Sequence, residues 1–344
     1  MPTNRRTLRP FLLAMTAVLS VAACDKPQSL GDANSIIVAV PDSAWDELEG
    51  VVERALEPRT FTVRDERIFN VTQTDPGLAP WNDLQRFQNI LVIGQPSDPW
   101  VAQALEEVSQ SVPEPPALLR TEDVWAQGQG VTIVLIPEGA GPEEAAPLLM
   151  QAGENYVQGF QYYVKRRMFA SGEDTALADS LARNAGFSIL LPNVYYGEEV
   201  EPGVFMYRND NPDPSELIRS VLVTSRPSDE VVMEPETALQ WRAELAEKFT
   251  EPPQVTDSTI ANVFRGEGPE SHVLRIQGVW SNPPGGWPAA GPFLTQLVEC
   301  PEQGRTYIID TWLYAPGESK FEYMVQLETI LDSFECAGGS ATSA

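Results

Sequence analysis

The chain has 344 residues and a formal net charge of −26, with 23 Lys and Arg against 49 Asp and Glu. Phosphate recognition needs clustered cations, so nucleic acid and anionic lipid surfaces are poor partners for a chain this acidic. With 42% hydrophobic residues and 8 Trp, 9 Tyr and 13 Phe, it can bury a substantial core and is not a disordered chain.

The first ten residues carry Arg5, Arg6 and Arg9 and no acid, and FLLAMTAVLSVAA follows over 11–23. A basic start before an apolar run is the layout of a secretory signal. The run is too short to span a bilayer, which takes about 20 residues. It ends Val21-Ala22-Ala23-Cys24. A branched residue, two small ones and then Cys resemble the lipobox of bacterial lipoproteins. That resemblance implies acylation of Cys24 and cleavage before it, with 1–23 as lipoprotein signal peptide. Two or three acyl chains suffice as an anchor, each buried CH2 contributing roughly 0.8 kcal/mol. The other reading is an ordinary signal cut at an A-x-A-like site, with Cys24 incidental. Residues 24–34 contain the polar DKPQSLGD and suit a tether. Asp25 resembles the inner-membrane retention signal of some bacteria, a rule that does not hold in all lineages, so both membranes stay open.

SIIVAV (35–40) predicts a buried strand. A helix follows over about 43–56, with Trp45, Leu48, Val52 and Leu56 at helical spacing and Asp42 or Ser43 as cap. FTVRDERIFNVTQ (61–73) predicts one strand with partial alternation, then a short helix near 81–87. NILVIG (89–94) and GVTIVLIP (130–137) predict strands flanking a helix over about 98–111, and SVPEPPALL reads as a loop. A long helix is expected from Pro142 to about Phe169, with Tyr156, Val157, Phe160, Tyr163, Val164 and Met168 on one stripe, and a second over 171–185. Beyond Gly186 the strands FSILLP, VFMYRND and ELIRSVLVTS precede a helix at about 235–249. HVLRIQGVW, GPFLTQLVEC and RTYIIDTWLYA then form a strand meander over 272–315. A last helix opens with Ser319-Lys320-Phe321-Glu322 at capping-box spacing and turns Met324, Leu327, Leu331 and Phe334 inward.

Strands and helices mixed in each half, without strict alternation, predict two α+β domains, 35–184 and 185–336. The C-terminal one is an antiparallel meander closed by a terminal helix. The tail 337–344 is expected to be disordered.

Several stretches taken together resemble a known family: NSIIVAVPDSAW, NILVIG, VWAQGQ (124–129), NAGFSILLPNVYY (184–196), FMYRND (205–210), GVWSNPPGGWPAAGPFLTQL, and LYAPGESKFEYMVQLETIL. In this order and spacing, across essentially the whole mature chain, they resemble the domain-of-unknown-function family numbered 4837, bacterial envelope lipoproteins without an established activity. The family carries a more basic segment after its YAP, of which only Lys320 remains here. The resemblance supports the lipoprotein reading and supplies no catalytic residues.

Little in the chain carries catalytic chemistry. His272 is the sole histidine, so a three-His zinc site is excluded, and no Cys cluster has zinc spacing. Ser-His-Asp or Cys-His chemistry would have to use His272, at the start of a strand in a polar loop. G-x-S-x-G, P-loop and dinucleotide fingerprints are lacking, and Gly-rich QGQG (127–130) precedes a strand, as a turn does. No cofactor and no metal site is expected. Arg208-Asn-Asp210-Asn-Pro-Asp213 has neither the Gly nor the closing Glu of a calcium loop and reads as a turn. Lys165-Arg166-Arg167 reads as the solvated end of a helix, where cations oppose the dipole. Cys300 and Cys336 make an even pair in an oxidising compartment. A bridge between them is the expectation, and two separate buried thiols the alternative.

The candidate binding loop joins two strands through Trp280, Pro283, Pro284, Gly285, Gly286, Trp287 and Pro288, up to Phe293. A hairpin needs two to five residues, and this one spends about ten and stiffens them with proline. A rigid loop displaying Trp suits recognition of another envelope protein or a saccharide. The plainer reading is that Trp280 and Trp287 fold back over the sheet. The function expected is a lipid-anchored envelope component, facing the periplasm and held by acyl chains on Cys24, that binds or assembles without catalysis. The alternative is a carboxylate-dependent hydrolase of an envelope polymer.

Overall fold

The computed structural model describes residues 26–211, 215–266 and 272–338. Cys24, the signal region, Asp213 and residues 339–344 lie outside them. The fold is α+β.

The first half runs β1 (Ser35–Ala39), α1 (Asp42–Leu56), β2 (Arg59–Phe61), β3 (Asp65–Arg67), β4 (Asn70–Thr74), α2 (Trp81–Leu84), β5 (Asn89–Gly94), α3 (Pro99–Glu106), β6 (Ala117–Glu122), β7 (Gly130–Leu135) and α4 (Pro142–Met168). Its five-stranded sheet has the order β4-β1-β5-β7-β6. The four strands β4, β1, β5 and β7 are parallel and β6 is antiparallel. Parallel strands are covered on both faces, which is why SIIVA, NILVIG and GVTIVL are continuously apolar. Ile36, Val38, Leu91 and Ile93 pack toward α1 and α4, and Ile37, Ala39, Ile90 and Val92 toward Trp81 and Val101. Gly153 lets α4 cross α1 closely: a Cβ there would sit 2.0 Å from the carbonyl oxygen of Ala55.

The second half runs α5 (Thr175–Asn184), β8 (Phe187–Ser188), β9 (Tyr196–Glu201), β10 (Val204–Asn209), β11 (Ile218–Pro227), α6 (Pro235–Phe249), β12 (Val255–Thr256), β13 (Asn262–Arg265), β14 (Val273–Ser281), β15 (Ala290–Cys300), β16 (Arg305–Tyr314), α7 (Phe321–Asp332) and β17 (Glu335–Cys336). Its large sheet has the order β12-β14-β15-β16-β11-β10-β9, with β13 also on β14, and its ladders are antiparallel. One face carries α6 over Leu222, Leu274, Phe293, Leu297 and Ile308. The other carries α7 and α5 over Tyr207, Val221, Leu294, Ile309 and Leu313. Cys300 and Cys336 are joined by a disulfide, Cα–Cα 5.8 Å, tying the segment after α7 to the end of β15.

The two halves are stitched through α7. Val325 belongs to the first core, Met324 and Leu327 to the second, and Phe321 stacks on Phe160 at 6.1 Å. The Glu66 carboxylate accepts from the Lys320 N–H at 2.8 Å, and Gln277 donates to the Phe61 carbonyl at 2.8 Å. Among the described residues no helix is long and apolar enough to cross a membrane.

Several expectations change. The strand expected over 61–73 is a hairpin, β2–β3, followed by β4. Ala117, Leu118 and Leu119, expected in a loop, lie in the edge strand β6, which the preceding prolines concealed. Of FSILLP only Phe187 and Ser188 are strand. β9 is exposed throughout, so it carries no alternation by which to recognise it, and its glutamates suit an edge. The capping box at α7 does not form: the helix starts at Phe321 after Lys320, without a side-chain cap. Neither Asp42 nor Ser43 caps α1, whose cap position is Pro41. The segment expected as a tether is bound from Lys26 onward. Lys26 pairs with Glu107 at 2.6 Å, and Ser29 and Leu30 hydrogen-bond to Gln127 and Arg86.

Candidate functional site

Period-two alternation places Met206 and Arg208 of β10, Ile218 and Ser220 of β11, and Trp312 and Tyr314 of β16 on the α6 face. Pairing then brings them into rows: Arg208 lies opposite Ser220, Ser220 opposite Trp312, Trp312 opposite Phe293, and Ile218 opposite Tyr314. α6 stops at Phe249, short of these rows. All of these but Phe293 form the floor of an open cleft of about 460 Å³. One wall is the segment after α6, from Phe249 through Thr250, Glu251 and Pro252 to Gln254. The Thr250 hydroxyl fixes that segment, donating to the Ala246 carbonyl at 2.6 Å and accepting from the Gln254 N–H at 2.8 Å.

The opposite wall is the predicted loop. Ser281 pairs with Ala290, so eight residues, 282–289, stand out of the ladder. Its neck closes through Asn282, whose backbone N–H donates to Ala289 at 2.8 Å and whose carboxamide donates to the Trp287 carbonyl at 2.9 Å. Gly285 makes the turn at φ +86°. The two tryptophans divide the roles weighed for them. Trp280 is buried, at 4% exposure, and donates to the Leu313 carbonyl at 3.2 Å. It can lie there because position 291 is Gly: a Cβ would meet Leu313 O at 1.8 Å and Trp280 Nε1 at 2.8 Å. Trp287 is 75% exposed and lines the cleft. Pro283 is half-buried, Pro284, Gly285 and Gly286 are exposed, and Phe293 is buried.

Beneath the cleft, α6 is tied to the sheet by a buried polar cluster. Arg242 and Asp310 are 0% and 2% exposed, with Nε 3.6 Å from Oδ1. The guanidinium also donates to Gln254 at 2.6 Å and to Thr256, and lies 4.3 Å over the Phe293 ring. Thr295 donates to Asp310 at 2.5 Å. Burial pushes the Asp310 carboxyl up and the Arg242 guanidinium down from their ordinary values, and each partly offsets the other. At the outer rim Arg208 pairs with Asp210 at 2.6 Å, and the Tyr196 hydroxyl donates to the same carboxylate.

The cleft therefore combines aromatic and aliphatic surface with a few fixed polar groups, as binding sites do. Glu251 is the one carboxylate among its described lining residues. Asp310 lies under α6, and Glu328, also pushed up by burial, lies on the other face, so no two raised acids converge on the cleft. Other singled-out residues lie elsewhere. His272 is exposed, with Nδ1 3.0 Å from Glu299. Lys165, Arg166 and Arg167 occupy the exposed last turn of α4. Among the described residues no three His, Cys, Asp or Glu side chains converge as metal ligands would.

Sequence reasoning found the loop but missed the floor and the other wall. The alternation in VFMYRN, IRSV and DTWLY was a usable signal for the floor. Which strands lie beside each other was not readable without the registers.

Residues 174–333 match the model of the family described as "Domain of unknown function (DUF4837)". This is the family the motifs resemble, over a shorter span than they suggested. The match opens at α5, whose Leu177 and Leu181 pack in the C-terminal core. No curated protein matches the chain. Solved structures resemble parts of it. The Ran-binding protein Mog1p of Saccharomyces cerevisiae is 13% identical, over 44% of this chain and 90% of that one, with a TM-score of 0.32. LpqN of Mycobacterium tuberculosis, described as involved in cell envelope biogenesis, is 10% identical, over 43% and 81%, with a TM-score of 0.27.

Proposed function

We propose that this chain is a lipid-anchored component of the cell envelope, facing the periplasm, that works by binding another envelope protein in the cleft between the 282–289 loop and the end of α6. The anchor rests on Val21-Ala22-Ala23-Cys24 after a basic, apolar leader. The observation that carries the binding reading is Trp287, held 75% exposed on a proline-stiffened loop over an apolar floor. A large indole left in water over Met206, Ile218, Trp312 and Tyr314 gains most when a partner covers it, and such centrally placed aromatics carry much of the energy at interfaces. The aliphatic Met206 and Ile218 favour side chains of an extended protein segment over a hydroxylated sugar ring. Hydrolysis of a glycan is less well supported, because it needs two carboxylates about 5–10 Å apart across the scissile bond, and among the described residues Glu251 alone lines the cleft with a carboxylate.

The test is a photo-crosslinking residue at Trp287 in living cells, with a control at Val263, which is 50% exposed on β13. One discrete envelope protein captured at 287, not at 263, and lost on Met206→Arg, is the expected result. No adduct, or the same set from both positions, would refute the reading.

A further inference from the structure

The opposite face of the large sheet holds a second, chemically different cavity. It has a volume of about 410 Å³ and lies where the end of α4 meets α7 and the ends of β10 and β11. Leu217 and Arg219 line it, whereas Ile218 and Ser220 line the aromatic cleft, so the sheet separates the two. Its polar lining includes Arg167, Arg219, Tyr195, Asn209, Asn211 and Glu322.

Two of these are left with unused capacity. The Tyr195 side chain is 9% exposed and its hydroxyl is buried without a partner. Arg219 donates from Nη1 to Gln326 at 2.8 Å and lies 5.8 Å over the Tyr323 ring, but its Nε is buried without a partner. Among the described residues no carboxylate pairs with Arg219, whereas Arg167 has Glu322 at 3.8 Å. Asn209 is buried and adds a carboxamide. Buried polar groups are ordinarily satisfied, so an unpaired phenol and an unpaired guanidinium N–H on two residues that line one cavity point to a ligand that completes them.

Charge narrows the class. Arg167 and Glu322 offset each other, leaving Arg219 as the one cation of the lining without a carboxylate partner among the described residues, beside neutral donors, in a chain of net charge −26. One cation matches one negative charge better than a phosphate dianion. A guanidinium edge fits a carboxylate, and Tyr195, Asn209 and Asn211 suit hydroxyl or amide groups beside it. We propose that this cavity binds a small organic monocarboxylate bearing adjacent hydroxyl or amide groups. Such a carboxylate occurs on an acidic sugar and on the C-terminus of a peptide.

Isothermal titration of the detergent-solubilised full chain tests this. The probes are glucuronate, N-acetylalanine, glucose and inorganic phosphate. Saturable binding of glucuronate or of N-acetylalanine, with glucose silent and phosphate weaker, is expected, and the preferred probe tells sugar acid from peptide terminus. Arg219→Gln should weaken the preferred probe at least tenfold. Tyr195→Phe should weaken it several-fold without lowering the unfolding midpoint, since the hydroxyl has no partner to lose, and so separates binding from folding. No saturable binding of either carboxylate, tighter binding of phosphate, or affinities unchanged in both variants would overturn the proposal.

Discussion

The two faces of the large sheet are built from the same strands, yet one is closed over by several segments, apart from the cavity beside Tyr195 at its end, and the other is left open along one side of its helix. On the α7 face the helix has help. α5 and residues 187–195 cover what α7 does not, and the Cys300–Cys336 disulfide fastens the end. On the α6 face one helix of 15 residues does most of the covering, helped by Val231, Met233 and Ile260 from the flanking segments. It is about 22 Å long at 1.5 Å per residue, whereas the ten-residue strands β11 and β16 reach about 33 Å. The chain then turns at Thr250–Gln254 rather than continuing, so the outer ends of the strands stay uncovered. The cleft is thus a consequence of helix length, and the Arg242–Asp310 cluster sits at its inner boundary.

α6 is attached by a buried ion pair as well as by the apolar Ala238, Trp241 and Leu245. Arg242→Ala would leave Asp310 buried without its cation, and is expected to cost about 3–5 kcal/mol in urea unfolding. The double variant Arg242→Met with Asp310→Leu removes both charges and should cost less than the single one. A single-variant loss under about 1 kcal/mol would mean that apolar contacts alone hold α6.

The matching perturbation of the closed face is Cys336→Ser. The bridge spans 36 residues, and a loop of that size contributes about 4 kcal/mol in the chain-entropy account. The expected signature is a lower melting temperature that reducing agent no longer changes, with Trp287 crosslinking retained because the cleft lies on the other face. Loss of crosslinking together with stability would show that the faces are not independent.

Within the open face the two loop tryptophans should respond oppositely. Gly291→Ala drives a methyl into Leu313 O and Trp280, and overpacking of this kind costs about 1–3 kcal/mol. Trp287→Ala removes an exposed indole and should change stability by no more than about 0.5 kcal/mol while abolishing capture of the partner by a photo-crosslinking residue placed instead at Glu251, across the same cleft. A Trp287→Ala variant as destabilised as Gly291→Ala would place that indole in the core.

How much of this was legible follows the same division. SIIVA, NILVIG and GVTIVL were readable because strands buried on both faces are continuously apolar, and α6 was expected over the residues it occupies. The 282–289 loop stood out because Pro and Gly exceed what a hairpin turn requires. β6 was hidden behind Pro113, Pro115 and Pro116, and β9 by its uniform exposure. The cleft floor depends on β11 lying between β10 and β16, which unites residues about a hundred positions apart. The cavity around Tyr195 and Arg219 is assembled from still more distant segments, and no local pattern marks it.

The smallest effect concerns a rim carboxylate of the closed face. Glu328 of α7 is partly buried, and burial raises its pKa against the pull of Arg275 and Lys165, with Asp332 adding to the rise. A carboxyl with a folded pKa above its unfolded value, about 4.3 for Glu, binds more protons in the native state. Its contribution is then fully present at low pH and is lost as pH rises through that window. Glu328→Gln cannot titrate. The stability of the variant relative to wild type, from denaturant unfolding at a series of pH values, should therefore rise upward from about pH 4 and level off above the native pKa. A difference independent of pH would mean that water reaches the carboxylate. The closed face would then be as open at its rim as the α6 face is at its floor.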